Sequence, residues 1–97
     1  MRLFTILDIL TESGIPATEP GPDWGTAHVY RTTEEGPHLS LQADNRGSGN
    51  RYTIRTWSHY DGDLVLRAVD ATPAEAIAFA LEWWHGEAAE LAAGQAA

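Results

Sequence analysis

The residues of this chain that could carry out chemistry are few and far apart. There is no cysteine, which excludes disulfides, thiolate metal sites and cysteine nucleophiles. The four histidines are His28, His38, His59 and His85. They show neither His-x-His nor His-x3-His spacing, so we predict no metal site and no other cofactor. No serine lies in a nucleophile-elbow motif, and we therefore expect that the protein is not an enzyme.

The excess negative charge lies at the two ends of the chain, with a net of -3 over residues 1–30 and -5 over residues 68–97. There are 14 acidic residues against 6 basic ones, all arginine, for a formal net charge of -8. Residues 31–67 hold five arginines and five acids, whereas residues 68–97 hold five acids and no arginine or lysine. We therefore predict an acidic surface on the last part of the chain, which would attract a partner with a basic surface.

The predicted C-terminal helix carries two apolar stripes. The stripe predicted to face the sheet consists of Ala74, Ile77, Leu81, Trp84 and Ala88. Phe79 and Trp83 form a second stripe nearly opposite the first, and Glu82, Glu87 and Glu90 border it. Two interpretations stay open. Either the first helix covers Phe79 and Trp83, or these side chains form an exposed site for a partner protein or for a second copy of the chain.

A second candidate site lies on a strand pair. Arg55 and Trp57 fall on one face of a predicted strand, because side chains two residues apart point the same way. A three-residue hairpin loop would add Arg67 and create a patch suited to stacking on bases or holding a carboxylate. A two-residue loop would shift the pairing by one and place Leu64 and Leu66 there instead. The sequence leaves both registers open.

The elements that position these residues follow from the apolar spacing. Leucine and isoleucine recur at helical spacing in residues 3–13, and Gly14 is placed to end that helix. Residues 16–25 contain three prolines and two glycines, which predicts an irregular loop with Trp24 as its anchor.

The middle of the chain alternates between apolar and polar residues, which predicts four antiparallel strands. They are residues 27–32, 37–44, 51–59 and 64–69. Asp61-Gly62 is a hairpin turn signal between the last two. Thr72 and Glu75 form a capping box around Pro73, so a final helix is predicted from there to about Trp84, with Gly86 ending or weakening it.

Together these elements predict a two-layer α+β domain in the order helix, four antiparallel strands, helix, with the helices covering one face of the sheet. We expect 97 residues to form one domain, residues 1–97, that frays over residues 92–97. No apolar run approaches the roughly 18–20 residues that span a bilayer. We expect no membrane association and a cytoplasmic location.

The predicted order of elements resembles the double-stranded-RNA-binding domain, and Gly36-Pro37-His38 is similar to the Gly-Pro-x-His turn of that family. That family holds phosphates with a lysine-rich start to its last helix. Here the corresponding residues 72–76 contain one acid and no base. Because like charges oppose phosphate binding, we do not expect nucleic acid as a partner of this helix.

A second resemblance involves the Thr-Pro-x-Glu-Ala opening of the last helix at residues 72–76, which follows a predicted hairpin. Over about residues 51–84 the chain resembles the partial RNase-type fold of the HicB antitoxins. This resemblance implies an antitoxin as one alternative function. The capping box that carries it is common in helices, and we assign the chain to neither family.

The function that the sequence favours is a small, acidic, non-enzymatic protein-binding module. We expect an accessory or inhibitory protein, encoded by a phage or plasmid, that acts on a partner with a basic surface. The alternatives are a nucleic-acid or small-anion binder that uses Arg55, Trp57 and Arg67, and a homodimer joined through Phe79 and Trp83.

Overall fold

The structure is a computed structural model that describes residues 3–18, 26–30, 36–43, 51–58 and 63–96. In chain order the elements are α1 (Leu3–Glu12), β1 (Ala17–Thr18), β2 (Thr26–Tyr30), β3 (His38–Ala43), β4 (Tyr52–Trp57), β5 (Val65–Ala71), α2 (Pro73–His85) and α3 (Glu87–Ala96). An antiparallel sheet thus stands between helical segments in the sequence, which confirms the predicted α+β class.

The strands form one antiparallel sheet in the order β1-β2-β3-β4-β5. Its four longer strands are the predicted ones. The short strand β1 is a correction, because it lies in the segment predicted to be irregular and pairs Ala17 with Val29. Ala17 and Thr18 sit between prolines but keep their own N–H groups, so they can join a ladder. Trp24 and the Asp61-Gly62 turn lie outside the described residues.

Helix α1 ends as its sequence predicts. Gly14 has a φ of +87°, in the left-handed region that glycine enters at no steric cost. The Ile15 N–H donates to the Leu10 carbonyl at 2.9 Å and the Gly14 N–H to the Thr11 carbonyl at 3.0 Å. This pair of bonds is the Schellman arrangement. Ile15 and Leu10 are both fully buried, so the turn also joins the end of the helix to the core.

Helix α2 begins at the predicted capping box. The Glu75 N–H donates to Thr72 Oγ1 at 3.2 Å, and the Thr72 N–H donates to Glu75 Oε1 at 3.1 Å. The helix ends at His85, because Gly86 leaves the helical conformation and α3 starts afresh at Glu87. A Cβ at position 86 would stand 3.0 Å from the Glu82 carbonyl oxygen, which favours glycine at this break.

The buried apolar side chains form one cluster drawn from α1, the sheet, α2 and α3. In α2 the buried residues are Ala76, Ala80, Trp83 and Trp84. The predicted core stripe is therefore only partly right. Trp84 and Ala88 are buried, but Ala74 is exposed, and Ile77 and Leu81 are half-buried. Alanine side chains are small enough to let a helix pack closely against its neighbours. A helical wheel that ranks residues by hydrophobicity favours the larger side chains and therefore misplaces the buried face.

Candidate functional site

The β4–β5 register determines whether Arg55, Trp57 and Arg67 form the predicted patch on the sheet face. Arg55 pairs with Leu66, and the next pair is Ile54 with Ala68, so Arg67 is an extra residue in a β-bulge. Of the two registers that the sequence leaves open, this one places Leu66 beside Arg55. Arg55, Trp57 and Arg67 are consequently not brought together on one face.

Arg67 instead points to the face that carries the core. Its Nη1 atom donates to Thr56 Oγ1 at 3.1 Å and to Glu87 Oε2 at 2.6 Å, and its guanidinium carbon lies 5.2 Å from the centre of the Phe79 ring. The ion pair with Glu87 is partly exposed, because the Arg67 side chain is 29% exposed and the Glu87 side chain is 47% exposed. Such pairs contribute little to stability, and this one joins Arg67 of β5 to the first turn of α3.

The residues of the predicted partner site on the C-terminal helix differ in exposure, since the aromatic ones are buried or half-buried and the acidic ones are exposed. Trp83 is only 2% exposed and belongs to the core, and Phe79 is half-buried against that core. Glu82, Glu87 and Glu90 are exposed, with Glu87 engaged by Arg67. Phe79 and Trp83 do not form an exposed stripe. Of the two interpretations, the structure supports burial of Trp83.

A different apolar surface is exposed on β5 and just before it. Among the described residues, the large hydrophobic side chains with the greatest exposure are Leu64 at 51%, Val65 at 48%, Leu66 at 57% and Val69 at 63%. Next to them, an open groove of about 290 Å³ lies between β5 and α2. Its lining consists of Ile54, Ala68, Val69, Ala71, Glu75, Ala78, Phe79 and Glu82. We call these exposed side chains and the groove together the β5 surface.

The segment that carries the β5 surface is acidic overall, although Arg55 pairs with Leu66 and the charge of Arg51 acts on Glu75. Residues 63–96 contain six acids and one cation, Arg67, which already contacts Glu87. Two of the acids, Glu75 and Glu82, line the groove itself. Hydrogen bonds from the backbone and side chain of Thr72 are the main reason that the pKa of Glu75 is lowered, so this carboxylate stays ionised at neutral pH.

The opposite face of the sheet, the outer face, carries a cluster of rings that the sequence did not reveal. Tyr30, His38 and Trp57 lie side by side on β2, β3 and β4. The centroid of the His38 ring lies 4.4 Å from that of Tyr30 and 4.5 Å from that of Trp57. His28 lies two residues before Tyr30 on β2, and its Nδ1 is 2.8 Å from Nε2 of His38. Arg55 is on the same face and donates to Gln42 Oε1 at 2.7 Å.

Sequence spacing missed the histidine pair because it arises across a hairpin. His28 and His38 are ten residues apart and become diagonal neighbours only when Tyr30 pairs with His38. The signal available was two adjacent strands carrying a histidine each on their polar faces, but the register between them was unknown. Burial of His38, and secondarily the charge of His28, lowers the pKa of His38 to about 4.

Within the part of the chain that the structure describes, no three histidine, aspartate or glutamate side chains are grouped as metal ligands. His59 lies outside that part, and His85 is exposed at the end of α2. The helices described include none that is long and apolar enough to cross a membrane.

Comparison with known proteins identifies no relative of this chain. No protein-family profile, no curated protein and no solved structure matches the chain at a significant level.

Proposed function

We propose that this chain is a non-enzymatic protein-binding module and that the β5 surface is where its partner docks. The observation that carries the proposal is the exposure of four large apolar side chains on one edge segment, Leu64, Val65, Leu66 and Val69. An exposed apolar strand at a sheet edge is a template for pairing with another chain, and folded proteins rarely leave one without a use.

The edge offers backbone groups as well as side chains. Within the described residues, β5 pairs with β4 alone and is the last strand of the sheet. Its bulges at Arg67 and around Asp70, where φ is +58°, restrict regular pairing to short stretches. A short extended segment of a partner therefore fits this edge better than a long strand does.

The groove beside the edge offers a pocket for one side chain of that segment. Most of its lining is apolar, including Ile54, Ala68 and Phe79, while Glu75 and Glu82 supply negative charge. An apolar side chain flanked by lysine or arginine would contact the apolar lining and pair with the two carboxylates. The occupant that we propose is thus an extended protein segment that alternates apolar and basic residues.

The same charges argue against a second copy of this chain as the occupant. Two copies paired through β5 would bring their acidic α2 and α3 helices near each other, and like charges at short range are repulsive. A homodimer joined through Phe79 and Trp83 is also disfavoured, because Trp83 is in the core. The sheet-face alternative loses Arg67 from its three residues and is not proposed in that form.

The test is a selection of random twelve-residue peptides displayed on phage against the immobilised chain. We expect the enriched peptides to contain alternating apolar residues with lysine or arginine. Their binding should weaken about tenfold or more in a Leu66→Asn and Val69→Asn double variant, which removes apolar contact at two exposed positions. Binding should also weaken as salt is raised.

The matched control is Thr11→Asn, an exposed position on α1 away from β5. It should leave peptide affinity unchanged. Equal binding to the double variant and the wild-type chain would overturn the location of the site. Enrichment of acidic peptides, or of none, would overturn the proposed chemistry of the partner.

A further inference from the structure

The exposed apolar side chains of the β5 surface lie on two sides of the sheet. Val65 pairs with Thr56, which is buried on the core side, whereas Leu66 pairs with Arg55 on the outer face. Cross-strand partners share a face of a sheet. Val69 lines the groove between β5 and α2 and therefore lies on the core side. The surface thus wraps around the edge of the sheet, with Val65 and Val69 toward α2 and Leu66 away from it.

The side of the edge that faces α2 is acidic. Glu75 and Glu82 line the groove, and neither forms an ion pair with a residue that the structure describes. The arginine on this side, Arg67, donates to Glu87 instead. Because the charge of Arg51 already acts on Glu75, Glu82 is the carboxylate that attracts a cation from outside more strongly.

The outer side of the same edge has a different chemistry. Leu66 lies beside Arg55, and Trp57 is on the same face of β4. Strands β2, β3 and β4 contain no acidic residue. A basic side chain on this side would meet like charge and gain no carboxylate, whereas an apolar side chain would be buried against Leu66.

An extended segment beside β5 must divide its side chains in the same way, because successive residues of a strand point to opposite faces. The apolar side chain in the groove and the basic ones that reach the glutamates share one face, so they are two positions apart. Glu75 and Glu82 are seven residues apart on α2, about 10 Å along the helix, and residues four apart in an extended segment are about 13 Å apart. Long basic side chains span the difference.

We propose that the partner segment carries the pattern basic–x–apolar–x–basic, in which the positions marked x are apolar and face Leu66. This inference rests on the β5 surface being the docking site, and it adds the face of the segment on which each residue type stands. The central residue contacts the apolar lining of the groove, and the basic residues pair with Glu75 and Glu82. Basic residues directly next to the central one would instead point to the outer face, beside Arg55.

The experiment compares two twelve-residue peptides of identical composition, by fluorescence anisotropy with the full-length chain. Their Gly/Ser flanks are the same, and their centres read Lys-Val-Leu-Val-Lys and Val-Lys-Leu-Lys-Val. We expect the first peptide to bind about tenfold or more tightly than the second. Glu82→Gln should weaken binding of the first peptide. Glu90→Gln removes the same charge from an exposed position outside the groove and should not.

A second variant exchanges the charge on the outer side. Arg55→Glu should strengthen binding of the second peptide, whose lysines point that way, and leave the first unchanged. Equal binding of the two peptides, or tighter binding of the second, would contradict the assignment of faces and still leave the β5 surface as the docking site. Undiminished binding of both peptides to the Leu66→Asn and Val69→Asn double variant, or no binding of either to the wild type, would refute the site and this inference together.

Discussion

At the scale of single residues, chemical type is a poor guide to role in this chain. Trp83 and Phe79 are both aromatic, four residues apart, and suited to a partner site, yet Trp83 is 2% exposed. Arg67 belongs to a face that its strand position alone could not reveal, because a bulge reverses the alternation there. In both cases the environment, and not the residue type, determines what the side chain does.

Trp83 leads to a prediction about stability. Its Nε1 is buried without a hydrogen-bond partner among the described residues, which costs free energy in the folded state. Trp83→Ala should lower the free energy of unfolding by about 3–5 kcal/mol, because it removes a large core side chain. Trp83→Phe should cost less than half as much, since the unpaired N–H disappears with the indole.

Urea unfolding followed by circular dichroism measures both changes. Val69→Ala, at a position that is 63% exposed, serves as the control and should stay within about 0.5 kcal/mol of the wild type. Equal losses for Trp83→Phe and Trp83→Ala would contradict this account of the buried indole.

At the scale of elements, the helix ends were predictable because they rest on local chemistry. Gly14 and the Thr72–Glu75 capping box act within a few residues of chain, so their types and spacing carry the information. Strand pairing is different. The two bulges in β5 depend on how β4 and β5 meet, and Asp61-Gly62 was compatible with two registers.

The capping box gives a prediction for α2. Thr72→Ala removes the oxygen that accepts from the Glu75 N–H and should lower the free energy of unfolding by about 1 kcal/mol. Thr72→Ser keeps that oxygen and should recover most of the loss. Denaturant unfolding of the three proteins at pH 7 measures the difference.

The pH dependence of the cap has a definite sign. The pKa of Glu75 is lowered from 4.5 in the folded state, chiefly by hydrogen bonds with Thr72. Its ionised form therefore stabilises the fold above pH 4.5, and this contribution is lost as the pH falls through the lowered value. The deficit of Thr72→Ala should shrink as the pH falls below 4.5, because the side chain of Thr72 contributes to the lowered pKa of Glu75. A constant deficit across that range would contradict a role for the Glu75 carboxylate.

At the scale of the whole molecule, charge and exposed apolar surface oppose each other. The formal net charge of -8 opposes association between copies of the chain at neutral pH, while the exposed apolar side chains at the edge of β5 favour it. We expect a monomer near 10.6 kDa at pH 7 and increasing self-association as the pH approaches the isoelectric point near 4.7.

Analytical ultracentrifugation across this pH range tests that balance. The Leu66→Asn and Val69→Asn double variant should associate less than the wild type near pH 4.7, because it lacks two exposed apolar side chains of the edge. Identical association of the two proteins would place the contact elsewhere. A stable dimer at pH 7 would show that charge repulsion does not control assembly.

The sequence by itself determined the α+β class, the four longer strands, the end of α1, the start of α2 and the acidic last third, because periodicity, capping and charge depend on residues close together in the chain. Only the tertiary structure decided the register of β5, the burial of Trp83 and the meeting of His28 with His38. These depend on contacts between segments distant in sequence, where a shift of one residue reverses which face a side chain occupies. The candidate surface on β5 arises at that level.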